Sequence, residues 1–121
     1  MSHFDITTTI RSLLLQNKEL VNLVEDKVYP LQAPKETLGD FILYQRDGYL
    51  QKYTKMGVDT QKPLVYLNVE SEDYDRSQRI AGLIYDILSG TYVEPQMSIQ
   101  LEDSTEDKVD GKFIQVLLFS I

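Results

Sequence analysis

A chain of 121 residues is the size of one folding unit, and at 42% hydrophobic and 26% charged residues it has the makeup of a globule that folds rather than of a disordered chain. The absence of cysteine excludes disulfides, thiolate zinc sites and a cysteine nucleophile, and fits a reducing compartment. Nineteen acidic residues against twelve basic ones leave a net charge of −7, which is unfavourable for a surface whose task is to neutralise the phosphates of duplex DNA.

The start, Met1-Ser2-His3-Phe4-Asp5, lacks a basic stretch followed by an apolar run, so no secretion signal or membrane anchor is expected. Ile6, Ile10, Leu13 and Leu14 then recur with helical period, with Asp5 placed as an N-cap. Asn17 interrupts, and Leu20, Val21, Leu23 and Val24 form a second short helical piece, so the pair is read as a helical hairpin or one kinked helix. Val28-Tyr29-Pro30 is extended, because the residue before a proline is pushed out of the helical region. Residues 31 to 39 connect it to a strand, Phe41 to Arg46, whose alternation places apolar residues on both faces.

Residues 47 to 62 hold Gly48, Gly57, Tyr49, Tyr53 and Met56 with no sustained period, and are read as a hairpin arm or mobile loop of a single domain spanning 1–121. After Pro63, Val65, Leu67 and Val69 alternate inward along a strand that ends at Ser71-Glu72-Asp73. Ile80, Leu83, Ile84, Ile87 and Leu88 then mark a helix, with Gly90 as its left-handed stop. Met97, Ile99 and Leu101 alternate in the next strand. An acidic turn, Glu102 to Gly111, leads to a last strand in which Phe113, Gln115, Leu117 and Phe119 oppose Ile114, Val116 and Leu118. The expected fold is α+β: an antiparallel or mixed sheet of four to five strands with two main helices packed on one face.

Catalytic chemistry finds little foothold. His3 is the one histidine and lies at the terminus, and no Gly-rich phosphate cradle, nucleophile elbow or HExxH motif is present. The carboxylates from Glu102 to Asp110 lack the central glycine and closing glutamate of a calcium loop and read as a solvated turn. Glu70, Glu72, Asp73 and Asp75 stand where a helix begins, where capping and the helix dipole account for them. No catalytic residue, cofactor or metal is expected.

Assembly fits the sequence better. Eight tyrosines stand beside four phenylalanines and no tryptophan, and tyrosine suits surfaces that are wet before assembly and covered after it. Tyr44 and Tyr66 fall inside strands as half-buried sheet residues. Tyr49 and Tyr53, interleaved with Lys52 and Lys55 and followed by Met56, are the interface candidates. From Arg46 to Lys62 four basic residues face two acidic ones, whereas Glu102 to Gly111 carries five acids (Glu102, Asp103, Glu106, Asp107, Asp110) and one base. The basic arm of one copy is therefore expected to meet the acidic turn, or the helix start, of the next in a head-to-tail contact that closes into a ring.

The helical start Ile10 to Val24, the segment Lys27-Val28-Tyr29-Pro30 with Ala33-Pro34, the strand Phe41 to Arg46, the strand Val65 to Val69 and the helix end Ile87-Leu88-Ser89-Gly90 resemble, in that order, the tail-completion or tail-to-head joining proteins of long-tailed bacteriophages. The chain departs from that pattern at Gly39-Asp40, where a proline often precedes the strand, and at Ser77-Gln78, where alanine is common. The resemblance implies a non-enzymatic ring, often hexameric, at the tail–head junction. Its partners would be copies of itself, the tail-tube protein and the head–tail connector, with DNA passing through unbound and no membrane involved. It would be made in the host cytoplasm and end in the virion. The alternative reading is a small dimeric ligand- or partner-binding regulatory domain that uses an apolar sheet face.

Overall fold

The computed structural model describes residues 5–35, 37–54, 57–92 and 97–121, and gives the backbone alone at 47–54, 57–62, 91–92 and 97. His3, Lys55 and Met56 lie outside the described residues. The elements in chain order are α1 (Ile6–Leu15), α2 (Lys18–Val24), β1 (Val28–Pro30), β2 (Phe41–Thr54), β3 (Gly57–Ser71), α3 (Tyr74–Leu88), β4 (Gly90–Tyr92), β5 (Met97–Val109) and β6 (Lys112–Ser120). The strands form one sheet in the order β1-β2-β3-β6-β5-β4, in which β1 joins β2 in parallel and every other neighbour is antiparallel.

The α+β class is therefore as expected, and the mixed sheet is completed by the short edge strand β4, which the sequence did not suggest. The core lies between the helices and one face of the sheet. Ile6, Ile10 and Leu14 of α1, Leu20 and Val24 of α2, and Ile80, Ile84 and Leu88 of α3 are fully buried. They meet Ile42 of β2, Val65, Leu67 and Val69 of β3, and Leu117 and Phe119 of β6. The helical and strand periods of the sequence thus converge on one apolar layer, which supplies most of the drive to fold.

Local chemistry sets the ends of the elements. Asn17 both ends α1 and caps α2, its side chain accepting from the Leu20 N–H at 3.0 Å, so the N-terminal region is two helices meeting at a cap. Asp5 stands at the head of α1 but makes no side-chain capping bond, because its backbone is already near-helical there (φ −97, ψ 9) and not extended. Asp73 caps α3 by accepting from Arg76 N–H at 2.9 Å, and Asp75 in the first turn adds favourable charge. The other end of α3 departs from expectation. Ser89 is extended (φ −67, ψ 131) and Gly90, at φ 126, opens β4, so the chain leaves the helix directly into a strand.

The largest correction concerns the acidic segment. Strand β5 runs straight through it to Val109, and only Asp110 and Gly111 make the turn. Both have positive φ, 51 and 80, the pairing that an Asp-Gly two-residue hairpin needs to match the twist of its strands. A bulge at Glu102, between the pairs Leu101↔Phe119 and Asp103↔Leu118, inserts one residue and exchanges the two faces of β5 from there on. Ile99 and Leu101 face the helices before it; Ser104, Glu106 and Lys108 take that side after it.

Candidate assembly surfaces

The sheet is backed by helices on one face and open on the other. On the open face Gln45 of β2, Tyr66 and Asn68 of β3, Val116 and Leu118 of β6, and Asp103 and Thr105 of β5 line a groove of about 270 Å³. The Oδ1 of Asn68 is buried there without a hydrogen-bond partner, so it is an acceptor still owed a donor. At the edge of the same face Phe41 is buried, with Lys112 Nζ 4.6 Å above its ring. Tyr44 points to the core, while Tyr66 stands half-buried in the groove.

The four acids singled out as interface residues lie on β5, and each is already engaged within the chain. Glu102 accepts from Ser120 Oγ, and Glu106 accepts from Tyr74 at 3.0 and 3.1 Å and from Gln115 at 2.9 Å. Asp103 accepts from the N–H of Ser104 at 2.9 Å, and Asp107 from the N–H of Lys108 at 2.7 Å. The acids divide between the two sides of the strand: Glu106 meets α3, while Asp103 and Asp107 pair with Leu118 and Ile114 on the open side. They do not converge as ligands of one ion, and no group of three or more acids or histidines among the described residues is placed to hold a metal.

Glu106 anchors a polar cluster. The Tyr74 pKa is raised above its ordinary value, first because its hydroxyl donates to the Glu106 carboxylate, which a phenolate would repel, and then by partial loss of solvent. Gln78 donates to the same hydroxyl at 3.1 Å, Phe113 meets the Tyr74 ring edge-on at 5.4 Å, and Lys108 lies 5.0 Å above Phe113. A second cluster was not singled out by the sequence. Asp40, buried at the start of β2, accepts from Ser71 at 2.8 Å and from Arg76 at 2.9 and 3.3 Å, which ties β2, the end of β3 and the first turn of α3 together. The signal was Gly39-Asp40 itself: an acid beside a glycine at positive φ (78), just before an apolar strand.

The basic candidates Tyr49, Lys52 and Tyr53 lie on β2 where it pairs with β3, with a bulge between Arg46 and Gly48. They sit on the far side of the sheet from Glu102, Asp103, Glu106 and Asp107, since β3 and β6 separate the two strands. The fold thus puts basic and acidic candidates on opposite sides and does not bring them together within one chain. Two exposed leucines, Leu31 and Leu38, stand on the connection between β1 and β2, on the basic side.

These features define an α+β layer pair with a long two-stranded β2–β3 extension and an open, grooved face. Solved structures share this fold, among them a chain of the virion of a native gene transfer agent particle, with a TM-score of 0.74 over 92% of this chain and 89% of that one at 14% sequence identity. At that identity the likeness is one of fold. No protein-family model matches the sequence, and the search of curated proteins found no match. No helix among the described residues is long and apolar enough to cross a membrane.

Proposed function

We propose that this protein is a structural virion component that assembles head-to-tail into a ring at the tail–head junction, as the resemblance to tail-completion proteins implies. The observation that carries the reading is the fold shared over nearly the whole of both chains with a component of a phage-like virion. The separation of basic and acidic candidates to opposite sides of one sheet supports a head-to-tail contact, because each side then finds its complement only on another copy. In this reading Tyr49, Lys52, Tyr53, Lys55 and Met56 of one copy face Glu102, Asp103, Glu106 and Asp107 of the next. The protein works by surface contact with its own copies, with the tail tube and with the connector, and DNA passes an acidic molecule that does not grip it.

Charge sets register in such a contact while buried apolar area holds it, since exposed ion pairs contribute only about 0–1 kcal/mol each. The double variant K52E/K55E, measured by size-exclusion chromatography with light scattering, is expected to lose the ring and elute as smaller species; unchanged assembly would discard the contact. A second reading, a dimeric domain that binds a ligand or partner on the open sheet face, draws on the unsatisfied Asn68 Oδ1 in the groove. A stable dimer with no larger species at any concentration would favour it.

A further inference from the structure

Both β2 and β5 expose long backbone edges. On β2, β1 covers only Ile42 to Tyr44, so among the described residues Gln45 to Thr54 has no strand on its outer side. On β5, β4 covers only Met97 to Ile99, so Gln100 to Val109 is likewise uncovered. The two stretches without a neighbouring strand are equal in length, ten residues each by these bounds. Because β2-β3-β6-β5 is antiparallel throughout, β2 and β5 run in opposite directions. Copies related by rotation about an axis along the strands would therefore bring β5 of one beside β2 of the next in antiparallel orientation, the more favourable pairing.

We infer that the sheet continues from copy to copy through this contact, with Tyr49 opposite Glu106, Gln51 opposite Ser104 and Lys52 opposite Asp103. Hydrogen-bond parity selects this register. In a two-residue hairpin the flanking pair, here Val109↔Lys112, exchanges both backbone hydrogen bonds, and alternation from it makes Asp107, Thr105 and Asp103 the residues bonded to β6 and turns the backbone groups of Ser104, Glu106 and Lys108 outward. After the bulge at Asp47, Tyr49 lies opposite Pro63, whose carbonyl accepts from Ile121 N–H on the β6 side, so that pair is not hydrogen-bonded; by alternation Gly48, Leu50 and Lys52 bond to β3, and Tyr49 and Gln51 turn their backbone groups outward. The register matches outward residues with outward residues and sets Lys52 against Asp103 and Asp47 against Lys108, opposite charges in both cases. It also explains the capping of the Ser104 and Lys108 N–H groups by Asp103 and Asp107. Those carboxylates occupy the edge donors of an isolated copy and repel a second β5, which blocks edge-to-edge pairing of like strands. On assembly Asp103 is drawn to Lys52, and the Ser104 N–H passes to the carbonyl of Gln51.

The inference rests on the ring reading, and cysteine cross-linking separates the two. The chain has no cysteine of its own. In an antiparallel pair the Lys52 and Asp103 positions are not hydrogen-bonded to each other, so their Cα atoms lie about 4.5 Å apart, within disulfide range. Within one copy two strands intervene, about 14 Å at ordinary strand spacing, so any disulfide must join two chains. Under copper-catalysed air oxidation K52C/D103C is expected to give a ladder of cross-linked chains on a non-reducing denaturing gel, and so is Q51C/S104C, the second pair guarding against a variant that fails to fold. K52C/D107C, displaced by about 13 Å along the strand, is expected to give none. Wild-type rings with no ladder from either pair would overturn the shared sheet and leave the ring standing, as would dimers from D103C alone. A wild-type chain that stays monomeric would overturn the ring reading and this inference with it.

Discussion

Asp40 is 5% exposed, and its two oxygens are shared between Ser71 and Arg76. Removing the guanidinium leaves a desolvated carboxylate with one hydroxyl donor. Arg76→Ala is therefore expected to lower the urea denaturation midpoint, by a modest amount because the arginine side chain is half exposed. Arg76→Lys should restore only part of this, since an ammonium cannot reproduce the two-pronged contact. At Tyr74 the raised pKa follows first from the bond to Glu106. The folded state holds the phenolic proton more tightly than the unfolded chain does, so this stability is fully present below pH 10 and is lost as pH rises through the raised value. Glu106→Gln should move the titration of Tyr74 back toward 10.0, read as the difference at 295 nm between spectra with and without the further change Tyr74→Phe.

The hairpin β5–β6 depends on a two-residue turn with positive φ at both positions. Gly111 at φ 80 has open space around its missing Cβ, so the penalty for Gly111→Ala is one of backbone strain and not of collision. That substitution is expected to cost about 1–2 kcal/mol in urea denaturation. Elements buried on one side were legible in the sequence, because burial forces a period: Val65, Leu67 and Val69 at period two and Ile80, Ile84 and Leu88 at helical period are the buried sets found. Strand β5 was half legible for the same reason. Beyond Leu101 its two sides are exposed or polar and its outer edge is free, so no apolar alternation marks it. Its acids read as a turn, although Asp110-Gly111 carried the turn signal by itself. The bulge at Glu102 and the three-residue β4 left no pattern either, and the departure of the chain at Ser89 contradicted the usual meaning of a glycine after a helix.

At the scale of the whole molecule, the candidate surfaces were legible as charge and composition but not as geometry. The sequence separated a basic segment from an acidic one; it could not place them on opposite sides of one sheet, because strand order depends on pairings distant in sequence, such as Val65↔Phe119. It also left Asp103 and Asp107 as free carboxylates, whereas they hold the edge N–H groups of their own strand. A contact registered by exposed charges weakens as salt screens them over about 10 Å at 0.1 M, so assembly should shift to higher protein concentration in high salt. The most direct test of the central claim is native mass spectrometry of the unmodified chain over a concentration series at low ionic strength. A head-to-tail ring gives one closed stoichiometry above a threshold concentration, with few open intermediates. A single monomeric or dimeric species across the whole series would contradict it.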